Sequence, residues 1–181
     1  FIILRLRSIL GRKTGHESKV FTDFSEKRYE SFRKQKVNLE ERNPDKLEGE
    51  EKKNFLKGAE IAYETIITSF AKGDQKKLDE LLTRDMASNF KQAINERNKN
   101  GIKSELTFIS MKESDLEKYE KVKTNLYATV KFVSEIISVK KDKSNKVIEG
   151  NPDRIKTVTD HWKFTKNILN KSPIGISQKS L

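Results

Sequence analysis

The chain has 181 residues, no cysteine and two histidines, and its 38 Lys and Arg against 27 Asp and Glu give a formal net charge of +11. The absence of thiols excludes disulfides, thiolate zinc sites and cysteine catalysis, and leaves His16 and His161 to carry any imidazole chemistry. An apolar fraction of 34% and a charged fraction of 36% depart from the roughly 45–50% and ~25% of packed domains. One ordinary domain with unpacked appendages is therefore expected. The basic excess suits an anionic partner such as nucleic acid, acidic lipid or an acidic protein, or else reflects a Lys-rich composition.

Residues 1–12, "FIILRLRSILGR", place apolar side chains at Phe1 to Leu4, Leu6, Ile9 and Leu10. The run is shorter than the about 20 residues that cross a bilayer. Its charges, Arg5, Arg7, Arg12 and Lys13, follow the apolar stretch and do not precede it as they would in a secretory signal. That order fits the cytoplasmic exit of a membrane span. On this reading the chain starts inside or just after a span, with the remainder on the cytoplasmic face, or on the matrix face of a mitochondrion. Each membrane-proximal basic residue would then contribute about 1 kcal/mol toward an anionic leaflet. The competing reading is an amphipathic helix packed on its own domain.

Residues 13–54 mix both signs of charge with sparse apolar residues and end at Pro44 and Gly49. This reads as a linker or a marginal solvated helix. A folded domain, residues 55–181, is expected from Phe55. Phe55, Ala59, Ala62, Tyr63, Ile66, Ile67 and Phe70 recur at helical spacing. Gly73-Asp74 stops that helix and starts a second, with Leu78, Leu81 and Leu82 inward. A third carries Met86, Phe90, Ala93 and Ile94 on one stripe and stops at Gly101.

Period-two patterns follow. "IKSELTFISMK" alternates around Leu106 and Phe108, "TNLYATVKFVSEIISVKKD" is long and β-branched, and "DKSNK" reads as a hairpin turn into "VIEG". "RIKTVTDHWKFTKN" puts Val158, Asp160, Trp162 and Phe164 on one face and His161 on the other. Three helices followed by an antiparallel meander give an α+β fold, with helices on one face of a curved sheet.

The leader "LRLRSILGRKTGHE", the run "FLKGAEIAYETIITSFAKGDQKKLDELLTRDMASNFKQAINER" and the strands "VKFVSEIISVKKDKSNKVIEGNPDRIKTVTDHWKF" together resemble the Tim44-like family. This is the family of the C-terminal domain of the mitochondrial inner-membrane translocase subunit and its α-proteobacterial membrane-anchored relatives. Gly58, Ala59, Tyr63, Phe70, Gly73 and Asp74 match its first helix and stop. Leu78, Leu81 and Leu82 match the second, and Phe90 and Arg97 the third. Val130, Phe132, Ser134 and Glu135 match the central strand, Gly150 the return turn, and Asp160, Trp162 and Phe164 the "D-x-W-x-F" strand. The resemblance implies a cone like nuclear transport factor two (cystatin-like). It also implies a membrane-associated scaffold at an inner membrane in place of an enzyme, with no cofactor or metal. The implied partners are anionic lipids and a heat-shock chaperone or translocation component. One departure stands out: family members close the sheet with a proline–Trp strand, whereas here Pro173 is followed by "IGISQKSL". A frayed or altered last strand is expected.

On this reading Tyr63, Phe70, Phe108, Phe132, Asp160, Trp162 and Phe164 line a concave pocket for a lipid tail or apolar peptide. Asp160 is expected to pair a buried Arg or Tyr, and Glu135 to sit at a bulge beside a Lys. The lysines 140, 141, 143 and 146 at the hairpin tip read as a solvated tip or a weak headgroup contact. Two rivals are an enzyme or small-molecule binder built around Asp160 and an electrostatic nucleic-acid binder. The second lacks the interleaving of aromatic and basic residues that strand binding uses, and "GRKTG" lacks the spacing of a phosphate loop. No nucleic-acid partner is expected.

Overall fold

A computed structural model of the chain describes residues 46–169 and 175–178. The leader, with Arg5, Arg7, Arg12 and Lys13, and most of the linker lie outside the described residues. Helix α1 spans Gly49–Lys72, α2 Gln75–Leu81 and α3 Arg84–Lys99. Strands follow as β1 (Lys103–Val122), β2 (Asn125–Lys141), β3 (Val147–Gly150), β4 (Lys156–Asn167) and β5 (Gly175–Gln178). All pairings between them are antiparallel, in the order β1-β2-β4-β5, with β3 added to β2 beyond the end of β4. The three helices pack against this sheet, so the α+β architecture read from the sequence is the architecture observed.

Helix α1 starts earlier than the apolar stripe that reveals it. Its first turns are polar, with Glu50 and Glu51 beside the positive end of the helix dipole, and Leu47 is already buried. It stops where Gly73 takes φ 80°. There Gly73 N–H donates to Phe70 O and Asp74 N–H to Ser69 O, the paired bonds of a Schellman motif. Asp74 then caps α2, its Oδ1 accepting from Lys77 N at 3.2 Å.

Two observations concern the sheet. Strand β1 runs 20 residues to Val122, far past the alternation visible around Phe108. Among the described residues it is an edge of the sheet, and its charged second half is solvated on one side. Its register against β2 shifts at three places, between Phe108 and Ser110, Met111 and Glu113, and Leu116 and Lys118. Such bulges bend a strand and increase its twist, which curves the sheet around the helices. The last strand takes the altered form of the expectation and not the frayed one: it is four residues long and paired. β5 pairs with β4 from Gly175 to Gln178, Ile176 is buried, and Ile176 O accepts from Thr83 N at 3.1 Å. An isoleucine thus fills a closing position without the family's Trp. No helix among the described residues is long and apolar enough to cross a membrane.

Candidate functional site

The inner face of the sheet is built by alternation. On β4, Val158, Asp160, Trp162 and Phe164 are buried while their neighbours face outward. In the paired register Phe132 lies opposite Asp160 and Val130 opposite Trp162, so β2 presents Val130, Phe132 and Ser134 on the same face. Across from them α1 presents Tyr63, one turn from Ala59 and Ile66 on its buried stripe.

Tyr63 is fully buried and joins the three elements. Its hydroxyl donates to Asp160 Oδ2 at 2.8 Å and lies 3.1 Å from Ser134 Oγ. With the phenol proton committed to Asp160, Ser134 is the donor in that second bond. The Tyr63 ring stacks on Phe132 at 4.7 Å and meets Trp162 edge-on at 5.0 Å. Phe132 also meets Phe164 at 6.3 Å, and Phe55 meets Phe164 edge-on at 5.5 Å. Burial, and then the Asp160 charge, hold the Tyr63 phenol well above its usual pKa, and only the Ser134 hydrogen bond opposes them. The phenol therefore stays protonated and serves as a donor, not as a nucleophile or base. Asp160 is paired with a tyrosine, one of the two partners its position suggested.

Five of the seven residues read as pocket lining, Tyr63, Phe132, Asp160, Trp162 and Phe164, thus meet in one cluster, in which the rings touch one another. Phe108 is half-buried on β1 and packs on the cluster's margin. Phe70 belongs to the same core but makes its ring contacts two turns further along α1. It meets Phe90 at 4.7 Å and carries the Arg97 guanidinium over its ring at 5.5 Å. Arg97 Nη1 donates to Phe70 O at 3.2 Å, so a cation closes the carbonyl end of α1. Burial lowers the Arg97 pKa from its ordinary value. The Trp162 indole N–H is buried and has no hydrogen-bond partner among the described residues.

The outer face carries ion pairs. His161 lies there, as alternation requires, with Nδ1 2.9 Å from Glu117. Glu135 sits at the first bulge of β1, accepting from Ser110 at 3.0 Å and Lys112 at 3.1 Å. Both contacts lower its pKa, Lys112 the more. At the β2–β3 tip, Lys140 pairs with Glu149 and Lys141 with Glu105, each at 2.7 Å. Two of the four tip lysines are thereby neutralised, which weakens a headgroup contact there. An open cleft of about 360 Å³ lies between α2 and α3, lined by Asp79, Leu82, Arg84, Ala87, Ser88 and Lys91. The 2.6 Å Lys91–Asp79 pair spans it. Sequence reading missed the Ser134 and Arg97 contacts; the partners are brought together only by the fold, 71 residues apart for Ser134 and Tyr63.

Among the described residues no group of His, Asp and Glu could hold a metal ion. The chain is similar in structure to the intermembrane space region of the chloroplast protein ARC6. Identity is 15% and the TM-score 0.46, over 68% of this chain and 92% of that one. No curated protein sequence matches it. The family model described as the Tim44-like domain matches residues 49–174, which takes in the three helices and the sheet as far as the approach to β5. The chain therefore belongs to the Tim44-like domain family.

Proposed function

We propose that this chain is a membrane-associated scaffold of the translocase-subunit type, acting by binding and tethering and not by catalysis. The observation that carries the reading is the Tim44-like match over residues 49–174. The interior supports it. Asp160, the residue on which an enzymatic alternative depends, is engaged by Tyr63 within a ring cluster, and a carboxylate so held stabilises the core. In this reading the leader, through Arg5, Arg7, Arg12 and Lys13, brings the chain to anionic lipid on the cytoplasmic side of an inner membrane, or on the matrix side of a mitochondrion. Residues 13–54 set the reach of the tether. The domain binds a lipid tail or an apolar protein segment, while Trp162 and Phe164 stay within its packed core. It presents a chaperone or translocation component at the bilayer.

Flotation of the full chain on phosphatidylcholine vesicles, with and without cardiolipin, tests the membrane half. Binding that requires the anionic lipid, and weakens when Arg5, Arg7, Arg12 and Lys13 are changed to Gln, is expected. Titration of a seventy-kilodalton heat-shock chaperone against the vesicle-bound chain tests the tether. No binding in either assay refutes the proposal.

A further inference from the structure

Six large apolar side chains are exposed among the described residues, and they fall at the two ends of the sheet. Val147, Ile148 and Ile155 lie near the β2–β3 tip, where Glu149 and Glu105 neutralise Lys140 and Lys141. Val122, Ile168 and Leu169 lie at the opposite end, exposed to 49%, 45% and 77%.

Several pairings bring that second group together. Val122 is opposite Asn125 in the β1–β2 turn, Asn125 is opposite Asn167, and Ile168 N–H donates to Thr124 O at 2.8 Å. One rung further in, Lys121 pairs with Leu126 and Leu126 with Lys166, and Lys123 forms the turn itself with φ 56°. Residues 121–126 and 163–169 contain no Asp or Glu. Lys121, Lys123 and Lys166 have no acidic partner among the described residues. This end is therefore apolar at its tip and basic around it, with Glu120, one residue further in on β1, paired to Lys118.

The chain that precedes α1 enters at the same end. Lys52 pairs with Asp115 on the second half of β1 at 3.7 Å, and Phe55 meets Phe164, one inward position before Lys166 on β4. Helix α1 thus begins toward the apolar and basic end of the sheet.

We infer that this end of the sheet docks on an anionic bilayer, with Val122, Ile168 and Leu169 entering the interface and Lys121, Lys123 and Lys166 meeting lipid phosphate. The inference rests on the membrane reading above and gives it a surface on the folded domain. Exposed apolar side chains with lysines around them satisfy both parts of a headgroup boundary, the acyl layer and the phosphate layer.

The test uses the full chain and phosphatidylcholine vesicles with and without phosphatidylglycerol. Changing Lys121, Lys123 and Lys166 together to Gln should weaken partitioning onto the anionic vesicles by roughly a hundredfold, at about fivefold per lysine. All three are at the rim, so thermal melting should be unchanged. In a second variant, Leu169→Trp, the introduced indole should be quenched by brominated lipid, whereas Trp162 is buried. If the parent chain binds and the lysine variant binds equally, or the introduced indole is not quenched, the docking end is refuted while membrane association stands. If the parent chain binds neither vesicle, both fall.

Discussion

Tyr63→Phe removes one oxygen and leaves the ring against Phe132 and Trp162, so it deletes the hydroxyl's two bonds, to Asp160 and to Ser134, without emptying the core. A net hydrogen bond to a charged group is worth about 1.5–3 kcal/mol, and leaving a buried carboxylate short of a donor adds to the loss. With the Ser134 bond lost as well, the expected destabilisation is about 2–4 kcal/mol. For a folded unit of this size that lowers the melting temperature by about 10 °C. Ser134→Ala, which spares the 2.8 Å bond, should cost about 1 kcal/mol. The pH dependence supplies a second reading. The folded phenol holds its proton above the ordinary tyrosine pKa. Its share of stability is therefore fully present below about pH 10 and is lost as the unfolded tyrosine ionises, by about 1.4 kcal/mol per pH unit. The phenylalanine variant has no such proton, so the gap between the two proteins should narrow above pH 10. Urea denaturation across that range measures both quantities. Equal midpoints at neutral pH, or a gap that stays constant into alkali, would refute the reasoning.

The capping of α1 gives two further tests. Gly73→Ala puts a Cβ on a residue with φ 80° and 3.4 Å from Arg97 Nη2, and should cost about 1–2 kcal/mol by denaturant midpoint with the slope unchanged. Arg97→Met keeps the stem but loses the cation over Phe70 and the bond to its carbonyl. A loss of about 1–2 kcal/mol is expected, and Arg97→Lys should restore only part of it, because an ammonium lacks the planar fork. On the outer face, the carboxyl titration of Glu135 followed by NMR should have its midpoint below the ordinary Glu value and move upward in Lys112→Ala. Stability linked to that group is present above the ordinary Glu pKa and lost as pH falls through the lowered one. An unmoved midpoint would show that the ion pair does not form in solution.

The parts of the fold that depend on near neighbours were legible in the sequence. The stripe from Phe55 to Phe70, the Gly73-Asp74 junction and the alternation from Val158 to Phe164 each follow from local periodicity and capping, and each is observed where it was expected. Two boundaries were hidden. The polar first turns of α1 carry no apolar signal. The second half of β1 is rich in charge because an edge strand can expose one face, so its pattern resembles a loop. Asp160 could be assigned to the inner face from the sequence, but Tyr63, its partner 97 residues away, could not be singled out from other aromatic residues on α1. The Ile168–Leu169 pair also gave no signal, since two apolar residues after a strand are ordinary until the fold shows that nothing described covers them.

The three register shifts of β1 have a consequence for self-association. An edge strand of 20 residues offers a long row of free backbone donors and acceptors, which a flat strand of another molecule could pair with end to end. Each bulge breaks the even spacing of that row and turns the next segment out of the sheet plane. The same edge strand carries solvated charges of both signs, Lys112, Glu113, Asp115 and Lys118 among them, which a second strand would have to desolvate in order to pair. A protein held at high local density on a surface can thus keep its longest edge from seeding fibrils.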